Sequence, residues 1–196
     1  LPFYFNAEMW DKIENKGRFR SLCEKHRVPC PKTYYTGSKI PDYIWETIQY
    51  PVMLKPVDAS SSRGVYRCFN EKELRAFEGE ALQQSSSARI IVEESVIGDE
   101  FTAHYTIANG RVSLASVDDR YPVTVHEGDP TTIPVARIYP FLFLDEYLKQ
   151  VDPYMKELCK DLGARNAILF VQGLYDNKTN SFCIFEAGLR SAGEAP

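Results

Sequence analysis

The stretch VQGLYDNKTNSFCIFEAGLR, residues 171–190, predicts a β-hairpin that carries candidate metal ligands. Two runs rich in β-branched and aromatic residues, AILFVQGLY and SFCIFEA, flank the polar turn DNKTN, which is the pattern of paired antiparallel strands. Gln172 and Glu186 lie in these strands, and Arg190 follows. Oxygen ligands on adjacent strands suit Mg²⁺ bound to phosphates. A Gln and a Glu on a hairpin are not specific by themselves, so the rest of the chain decides their meaning.

The composition is that of a globular protein and excludes several functional classes. Of 196 residues, 44% are hydrophobic and 26% are charged, with a formal net charge of −4. No run of Lys and Arg provides the basic surface that a duplex nucleic-acid binder uses. The apolar run AILFV is far shorter than the roughly 20 residues that span a bilayer. We therefore expect a soluble module with neither nucleic-acid nor membrane partners.

The cysteines indicate a reducing compartment. There are five, an odd number, at wide spacings and with no CxxC pair. Their neighbours are apolar, which favours small buried thiols in a cytoplasmic protein. The histidines, His26, His104 and His126, lack the HxxxH and HExxH spacings, so a zinc site is not expected.

The order of elements predicts an α+β fold with two lobes hinged near residues 95–98. Asn70 followed by Glu73 is a capping-box spacing, and Asn109-Gly110 between alternating runs is a strong hairpin signal. In chain order we expect a helix over 7–26 interrupted at Gly17, a short helix over 37–49, strands over 52–57 and 65–69, a helix over 71–84, a strand over 89–94, the Asn109-Gly110 hairpin, a long surface loop over 119–140, a helix over 145–162 and the two closing strands.

Lys55 is the only charged residue in the strand VMLKPV. A buried ammonium is costly unless it has an anionic partner, so an inward-facing Lys55 would bind an anion, whereas an outward-facing one would be solvated. The loop DASSSRG follows directly, and runs of small residues let backbone N–H groups approach phosphate oxygens. The loop matches neither GxxxxGK[ST] nor GxGxxG.

The segment VEESVIG carries Glu93 and Glu94 at the predicted joint between the lobes, with Glu100 shortly after. An extended backbone there offers the donor and acceptor that an adenine edge needs, and a carboxylate suits ribose hydroxyls. The alternative interpretation is an edge strand protected from pairing by its charges.

In this order the segments resemble the ATP-grasp superfamily, and in particular the synthetase units of the carbamoyl-phosphate synthase large subunit. The resemblance covers residues 15–194, nearly the whole chain, through NKGRFRSLCEKHRVPCPKT, YPVMLKPVDASSSRGV, IIVEESVIGDEF and the closing hairpin. Asn15 replaces the usual Asp of the opening motif, and Lys16 is kept. The residues that the resemblance implies for ATP are Lys16, Lys55, Ser60, Ser61, Ser62, Glu93, Glu94, Val96 and Glu100; Gln172 and Glu186 are implied as Mg²⁺ ligands, and Lys55 and Arg190 as catalytic charges.

The fold that the resemblance implies holds the nucleotide between the sheets of two α+β lobes. Residues 1–35 would form a linker helix and entry segment, 36–97 the small lobe and 98–196 a large lobe truncated at its C-terminus, with the family's preceding α/β domain outside this chain. The function implied is an ATP-dependent, C–N bond-forming ligase module, inactive alone if it needs that domain. It would activate a carboxylate or bicarbonate as an acyl phosphate, which ammonia or an amine then attacks.

One departure from the family motif favours a second interpretation. The hairpin usually ends in ExNxR, whereas here it ends in EAGLR, so Gly188 lies where Asn would supply a metal oxygen. The alternatives are therefore a degenerate ATP-grasp module that binds nucleotide or a partner without catalysis, and a plain α+β interaction domain. We expect Gly188→Asn to restore the oxygen ligand, and Lys55→Ala to weaken nucleotide binding with little change in folding. For the acceptor, the chain offers a set of polar residues without a recognisable pattern: Asp118, Asp119, Arg120, His126 and Arg137.

Overall fold

In the computed structural model, the described residues, 6–60, 62–124 and 132–191, form two sheets in two separate units. The four-stranded unit comprises Pro31–Val96 and Thr124–Ile133, and the five-stranded unit comprises the remainder. In chain order the elements are α1 (Ala7–Glu14), α2 (Lys16–His26), β1 (Thr33–Gly37), α3 (Asp42–Trp45), β2 (Val52–Pro56), β3 (Tyr66–Cys68), α4 (Glu71–Gln84), β4 (Ile90–Glu94), β5 (Asp99–Ala108), β6 (Arg111–Thr124), β7 (Thr132–Ile138), α5 (Leu144–Gln150), α6 (Asp152–Asp161), β8 (Ala167–Asp176) and β9 (Ser181–Gly188).

The four-stranded unit has the strand order β1-β4-β2-β3, with antiparallel neighbours throughout. Alternate residues of β2 and β4 point into its core: Val52, Leu54, Ile90 and Val92 are all fully buried. Helix α4 covers this core, and Leu74 is its fully buried anchor. Apolar residues at alternate positions on two central strands are what fix the register of this sheet.

The five-stranded unit has the strand order β7-β6-β5-β8-β9. One face of its sheet contributes Phe101, Ala103, Tyr105, Leu169 and Val171 to a core that helices α1, α2, α5 and α6 complete. The opposite face carries the alternate residues of the same strands, which are polar along β5 and include Gln172 on β8. The candidate ligands of the hairpin therefore lie on a face that the core does not occupy.

The helix predicted over 7–26 is two helices. Asn15 adopts an extended conformation and ends α1, while its side chain accepts a hydrogen bond from the N–H of Arg18 and so caps α2. The interruption lies at Asn15 and not at Gly17, because an N-cap residue must leave the helical conformation. The helix predicted over 145–162 divides in the same way at Val151, where Pro153 occupies the first turn of α6.

The long surface loop predicted over 119–140 is wrong for most of its length. β6 continues to Thr124 and β7 begins at Thr132, and residues 125–131, with His126, lie outside the described residues. Strand β1 was not predicted. The predicted helix over 37–49 is reduced to the single turn of α3.

Two other predictions are confirmed. Helix α4 has the predicted bounds, and the Asn70 side chain accepts from the Glu73 N–H. The β5–β6 hairpin turns at Asn109-Gly110, where both residues have positive φ, as a two-residue turn of this type requires. Along the described part of the chain, the structure contains no helix with the length and apolar character needed to cross a membrane.

Candidate functional site

Gln172 and Glu186 lie opposite each other on β8 and β9. The register of this antiparallel pair aligns the two residues, with a bulge between Gln172 and Gly173. Opposed residues in such a pair project from the same face with their Cβ atoms about 4.5–5.5 Å apart. The hairpin therefore presents an amide oxygen and a carboxylate side by side. Their role as metal ligands stays a prediction.

Polar residues continue from this pair across the sheet. Thr102 on β5 is aligned with Gln172 on one side and with Asp118 of β6 on the other. Thr102 and Asp118 are both fully buried, and the Thr102 Oγ1 atom has no hydrogen-bond partner among the described residues. The four residues Asp118, Thr102, Gln172 and Glu186, here called the polar row, thus span four neighbouring strands.

Gly188 packs against the side chains of Phe170 and Glu14. A Cβ atom on Gly188 would lie 2.3 Å from Cε1 of Phe170 and 3.0 Å from Oε1 of Glu14. Because the first distance is shorter than real Cβ contacts, Asn at this position requires the ring of Phe170 to move. The expectation that Gly188→Asn restores an oxygen ligand stays a prediction that meets this steric obstacle, and Gly188 itself does not have a positive φ.

Glu14 brings a second carboxylate to this end of the hairpin. Its Oε1 atom is buried and accepts no hydrogen bond from the described residues. Burial raises the pKa of Glu14, and the charges of Arg190, Glu186 and Lys16 act on it as well, the two cations lowering it and Glu186 raising it. We call Glu14, Lys16, Glu186 and Arg190 the hairpin charge cluster. Glu14 was not predicted as a site residue from the sequence. The only feature of the sequence that points to it is its position two residues before Lys16.

The N-terminal helices are attached to β9 by backbone and side-chain hydrogen bonds. Arg20 of α2 is 2% exposed, and its Nη2 atom donates to the carbonyl oxygen of Phe185 at 2.7 Å. The Ile184 N–H donates to the carbonyl oxygen of Pro29 at 2.7 Å. One bond is made from within α2 and the other from the chain just after it, and together they fix the helix against the strand that carries Glu186. Lys16 and Glu14 are positioned as a result.

Lys55 lies on the face of the four-stranded sheet opposite Val52 and Leu54, but its side chain is largely buried and has an anionic partner. Its Nζ atom donates to Oε2 of Glu93 at 3.0 Å, and Glu93 is fully buried while the Lys55 side chain is 12% exposed. The solvated alternative for Lys55 is therefore wrong. The edge-strand alternative for the glutamates is wrong too, because β4 lies between β1 and β2.

Two backbone N–H groups of the predicted adenine segment already donate hydrogen bonds within the four-stranded unit. The N–H of Glu94 donates to the carbonyl oxygen of Lys32 at 2.9 Å, and the carboxylate of Glu94 accepts from the Lys32 N–H at 2.9 Å. The N–H of Ser95 donates to Pro51. An adenine contact at Glu94 would therefore use its carbonyl oxygen. Val96 follows as the last residue before the chain enters the five-stranded unit at Ile97.

The loop after Lys55 is attached at its start and turns tightly at its end. Asp58 accepts hydrogen bonds from Ser85 and Ser86 and from the backbone of Ser87. Burial raises its pKa, but the serine hydrogen bonds outweigh that effect and lower the pKa to about 2. Ser60 and Ser62 are exposed, Ser62 has a φ of 54°, and Ser61 lies outside the described residues. The exposed serines stay candidates for phosphate binding.

Ion pairs lie next to the polar row on β5, β6 and β7. Glu100, predicted to contact ribose, accepts a hydrogen bond from Arg120. Asp118 accepts from Nη1 of Arg137 at 3.3 and 3.2 Å, and His104 Nε2 lies 3.7 Å from it. The sequence analysis noted Asp118, Arg120 and Arg137 but missed His104. His104, Asp118 and Arg137 come together only through the pairing of β5, β6 and β7, and the sequence does not reveal how β7 pairs.

The described residues contain no group of three His, Cys, Asp or Glu side chains arranged to hold a metal ion. The oxygen donors that do converge are the amide of Gln172 and the carboxylate of Glu186, with the unpartnered Oε1 of Glu14 beside Gly188. This donor set is hard and oxygen-only, which is the type that Mg²⁺ accepts while it keeps several waters. The residues therefore fit the metal that the resemblance implies.

Known proteins share sequence or fold with this chain. The chain is 27% identical over 189 residues to the carbamoyl phosphate synthase large chain of Pyrococcus furiosus, covering 95% of this chain and 17% of that protein. The VanG D-Ala:D-Ser ligase of Enterococcus faecalis superposes with a TM-score of 0.74 at 20% identity, over 90% of this chain and 52% of that one.

A further structure is the biotin carboxylase domain dimer of Hydrogenobacter thermophilus 2-oxoglutarate carboxylase, a complex with MgADP, ADP and bicarbonate. It superposes with a TM-score of 0.75 at 19% identity, over 94% of this chain and 41% of that one. The chain thus spans only about a sixth to a half of the length of these relatives. Residues 48–195 match the sequence profile of the ATP-grasp domain. The chain belongs to the ATP-grasp family.

Proposed function

We propose that this chain binds ATP with Mg²⁺ and activates a carboxylate or bicarbonate as an acyl phosphate, which ammonia or an amine then attacks. The observation that carries the proposal is the alignment of Gln172 with Glu186 on β8 and β9, beside the cations Lys16 and Arg190. Oxygen ligands for Mg²⁺ and cations that can bind phosphate oxygens, placed close together, suit a metal–phosphate complex.

The reaction would proceed in two balanced steps. In the first, a carboxylate oxygen attacks the γ-phosphorus of ATP, the bond from that phosphorus to the β–γ bridging oxygen breaks, and ADP leaves. In the second, an amine nitrogen attacks the acyl carbon, the C–O bond to phosphate breaks, and phosphate and a proton are released. Phosphoryl transfer of this kind needs positioning and charge neutralisation more than covalent help from the protein.

The chain's own residues would divide this work. Lys55 binds phosphate oxygens from a strand held rigid by its pair with Glu93, and the exposed serines of the following loop add polar contacts. The Glu94 carbonyl oxygen and the Val96 N–H recognise the adenine edge, and Glu100, oriented by Arg120, accepts from ribose hydroxyls. The Cζ atom of Arg190 lies 4.5 Å from the ring centroid of Phe170. From there Arg190 supplies positive charge to the transferred phosphoryl group.

Gln172 and Glu186 would hold Mg²⁺, which when bound neutralises charge on the β- and γ-phosphates. Two solved structures support a magnesium nucleotide and a ligase reaction on this fold, although not the choice of these two residues. The Hydrogenobacter structure contains MgADP and bicarbonate, and the Enterococcus protein is a D-Ala:D-Ser ligase.

A second function, nucleotide binding without turnover, is favoured by one observation. Gly188 supplies no side-chain oxygen where the family motif has Asn, and the ring of Phe170 packs against this position. If no other group replaces that oxygen, the metal is held less firmly and catalysis suffers before binding does.

Nucleotide binding and turnover separate these candidates. ATP with Mg²⁺ at about 100 times its dissociation constant would stabilise the protein by roughly 2.7 kcal/mol, which a thermal-shift series reads out. GTP is the control for the adenine contacts. Phosphate release that depends on an added carboxylate and amine supports the ligase, whereas binding without such release supports the second function. The absence of any adenine-dependent shift would support a plain interaction domain.

A further inference from the structure

Glu14 lies, together with the ring of Phe170, beside the position that a side chain at residue 188 would take. Its Oε1 atom lies 3.0 Å from the point where a Cβ on Gly188 would be, although the two residues are far apart in sequence. Helix α1 ends at Glu14, and the extended Asn15 then turns the chain into α2. The carboxylate is thus delivered to the hairpin from outside it.

The same oxygen lacks a hydrogen-bond donor. Oε1 is buried, and no described residue donates to it. A buried carboxylate oxygen without a partner is costly, so its persistence in a fold requires a compensating interaction. Neighbouring Glu186 adds repulsion to that cost, while Lys16 and Arg190 offset part of it. A cation shared by the two carboxylates would satisfy both.

We propose that Glu14 is the third oxygen ligand of the Mg²⁺ site. It would take the role of the Asn that the family motif has where this chain has Gly188. This inference rests on the proposed function, because it assigns a ligand to the metal held by Gln172 and Glu186. The carboxylate on α1 then supplies an oxygen that Gly188 on β9 does not, and the site has three protein oxygens.

The competing explanation is that Glu14 only balances the charges of Lys16 and Arg190. The two roles differ in their metal dependence. A ligand contributes to the affinity for Mg²⁺, whereas a counter-charge changes the affinity for nucleotide even when Mg²⁺ is saturating. The measurement must therefore vary the metal at a fixed nucleotide concentration.

The test compares Mg²⁺ titrations of the wild-type protein with those of Glu14→Gln and Glu14→Ala at fixed ATP, reading the nucleotide-dependent thermal shift. The matched control is Glu24→Gln, which removes the same charge from an exposed position on α2. We expect Glu14→Gln to raise the half-saturating Mg²⁺ concentration about tenfold and Glu14→Ala to raise it further, since loss of groups around a metal typically costs 10–100-fold in affinity. The shift at saturating Mg²⁺ should be unchanged in Glu14→Gln.

Three outcomes would overturn the inference. If Glu14→Gln and Glu14→Ala titrate like Glu24→Gln, Glu14 is not a ligand, and the proposed function survives because the wild-type protein still shows its Mg²⁺ dependence. If the variants instead lower the shift equally at every Mg²⁺ concentration, Glu14 is a counter-charge. A wild-type protein without any Mg²⁺-dependent shift would overturn the proposed function itself, and the inference with it.

Discussion

The Nζ atom of Lys55 lies 3.0 Å from Oε2 of Glu93, so the lysine predicted to bind phosphate is also half of a buried ion pair. This relationship changes what a substitution at Lys55 measures. Removing one partner of a buried pair leaves the other charge poorly compensated, which costs about 3–5 kcal/mol. The expectation that replacing Lys55 leaves folding nearly unchanged therefore needs correction.

We predict that Lys55→Met lowers the free energy of unfolding by about 3 kcal/mol or more and weakens nucleotide binding. The double variant Lys55→Met, Glu93→Gln should recover much of the stability, because Gln carries no charge, but it should not recover the affinity. Urea denaturation and ATP titration of both variants separate the two effects. Recovery of affinity in the double variant would show that Lys55 does not contact the nucleotide.

Gly188→Ala is predicted to destabilise the five-stranded unit by about 1–3 kcal/mol, the usual cost of overpacking. The added methyl group must displace Phe170, on which Arg190 also lies. Gly79→Ala is the matched control, because nothing lies within 4 Å of its Cβ position and it is inside helix α4, where Ala is favoured. Thermal denaturation should show a lower midpoint for the first variant and an equal or higher one for the second. Equal midpoints for Gly188→Ala and the wild type would contradict the packing described at the hairpin.

Asp58 should contribute to the loss of folding stability at acid pH. Its pKa is lowered from 3.8 to about 2 in the folded protein, since the serine hydrogen bonds outweigh the effect of burial. A lowered folded pKa adds stability above the unfolded value, and that stability is lost as the pH falls from about 4 towards 2.

Asp58→Asn should therefore reduce stability at pH 7 and flatten its decline below pH 4. Denaturation midpoints between pH 7 and pH 2.5 test this, with the exposed Asp42→Asn of the same unit as control. If Asp58→Asn declines as steeply as the wild type, the serines do not stabilise the Asp58 carboxylate.

Thiol reactivity should follow burial. Burial raises the pKa of Cys159 to about 12 and that of Cys68 to about 11, so neither forms the reactive thiolate near neutral pH. Cys30 is only half-buried. We expect the native protein at pH 8 to react first at Cys30 and slowly at the other two, with all five thiols reacting after denaturation. Fast labelling of Cys159, measured by mass spectrometry, would be inconsistent with the described core.

The sequence revealed local features well and long-range ones poorly. Helix α4 was predicted to the residue because Asn70 and Glu73 cap it locally, and Asn109-Gly110 fixed a hairpin for the same reason. The hairpin of β8 and β9 was predicted from two β-rich runs that flank the polar turn DNKTN. Strand β1 was missed because its partner β4 is distant in the chain, and β7 was missed because a Pro- and Thr-rich composition resembles that of a loop.

Relations across elements were likewise beyond the sequence. Lys55 was recognised as needing an anion, but Glu93 as that anion depends on the β2–β4 register. Glu14 was not recognised at all, because its relevance arises only where α1 meets β9. Gly188 was recognised as a departure from the motif. That the ring of Phe170 packs against it, leaving little room for a side chain, is visible only in the packed sheet.

The central claim is that Glu186 on the hairpin holds the metal through which ATP binds. The most direct measurement is calorimetric titration of ATP into the wild-type protein and Glu186→Gln at several Mg²⁺ concentrations. We predict that the wild-type affinity rises steeply with Mg²⁺ and that Glu186→Gln loses most of this dependence while its fold, checked by circular dichroism, is retained. An unchanged Mg²⁺ dependence in Glu186→Gln would contradict the account and remove the hairpin from the metal site.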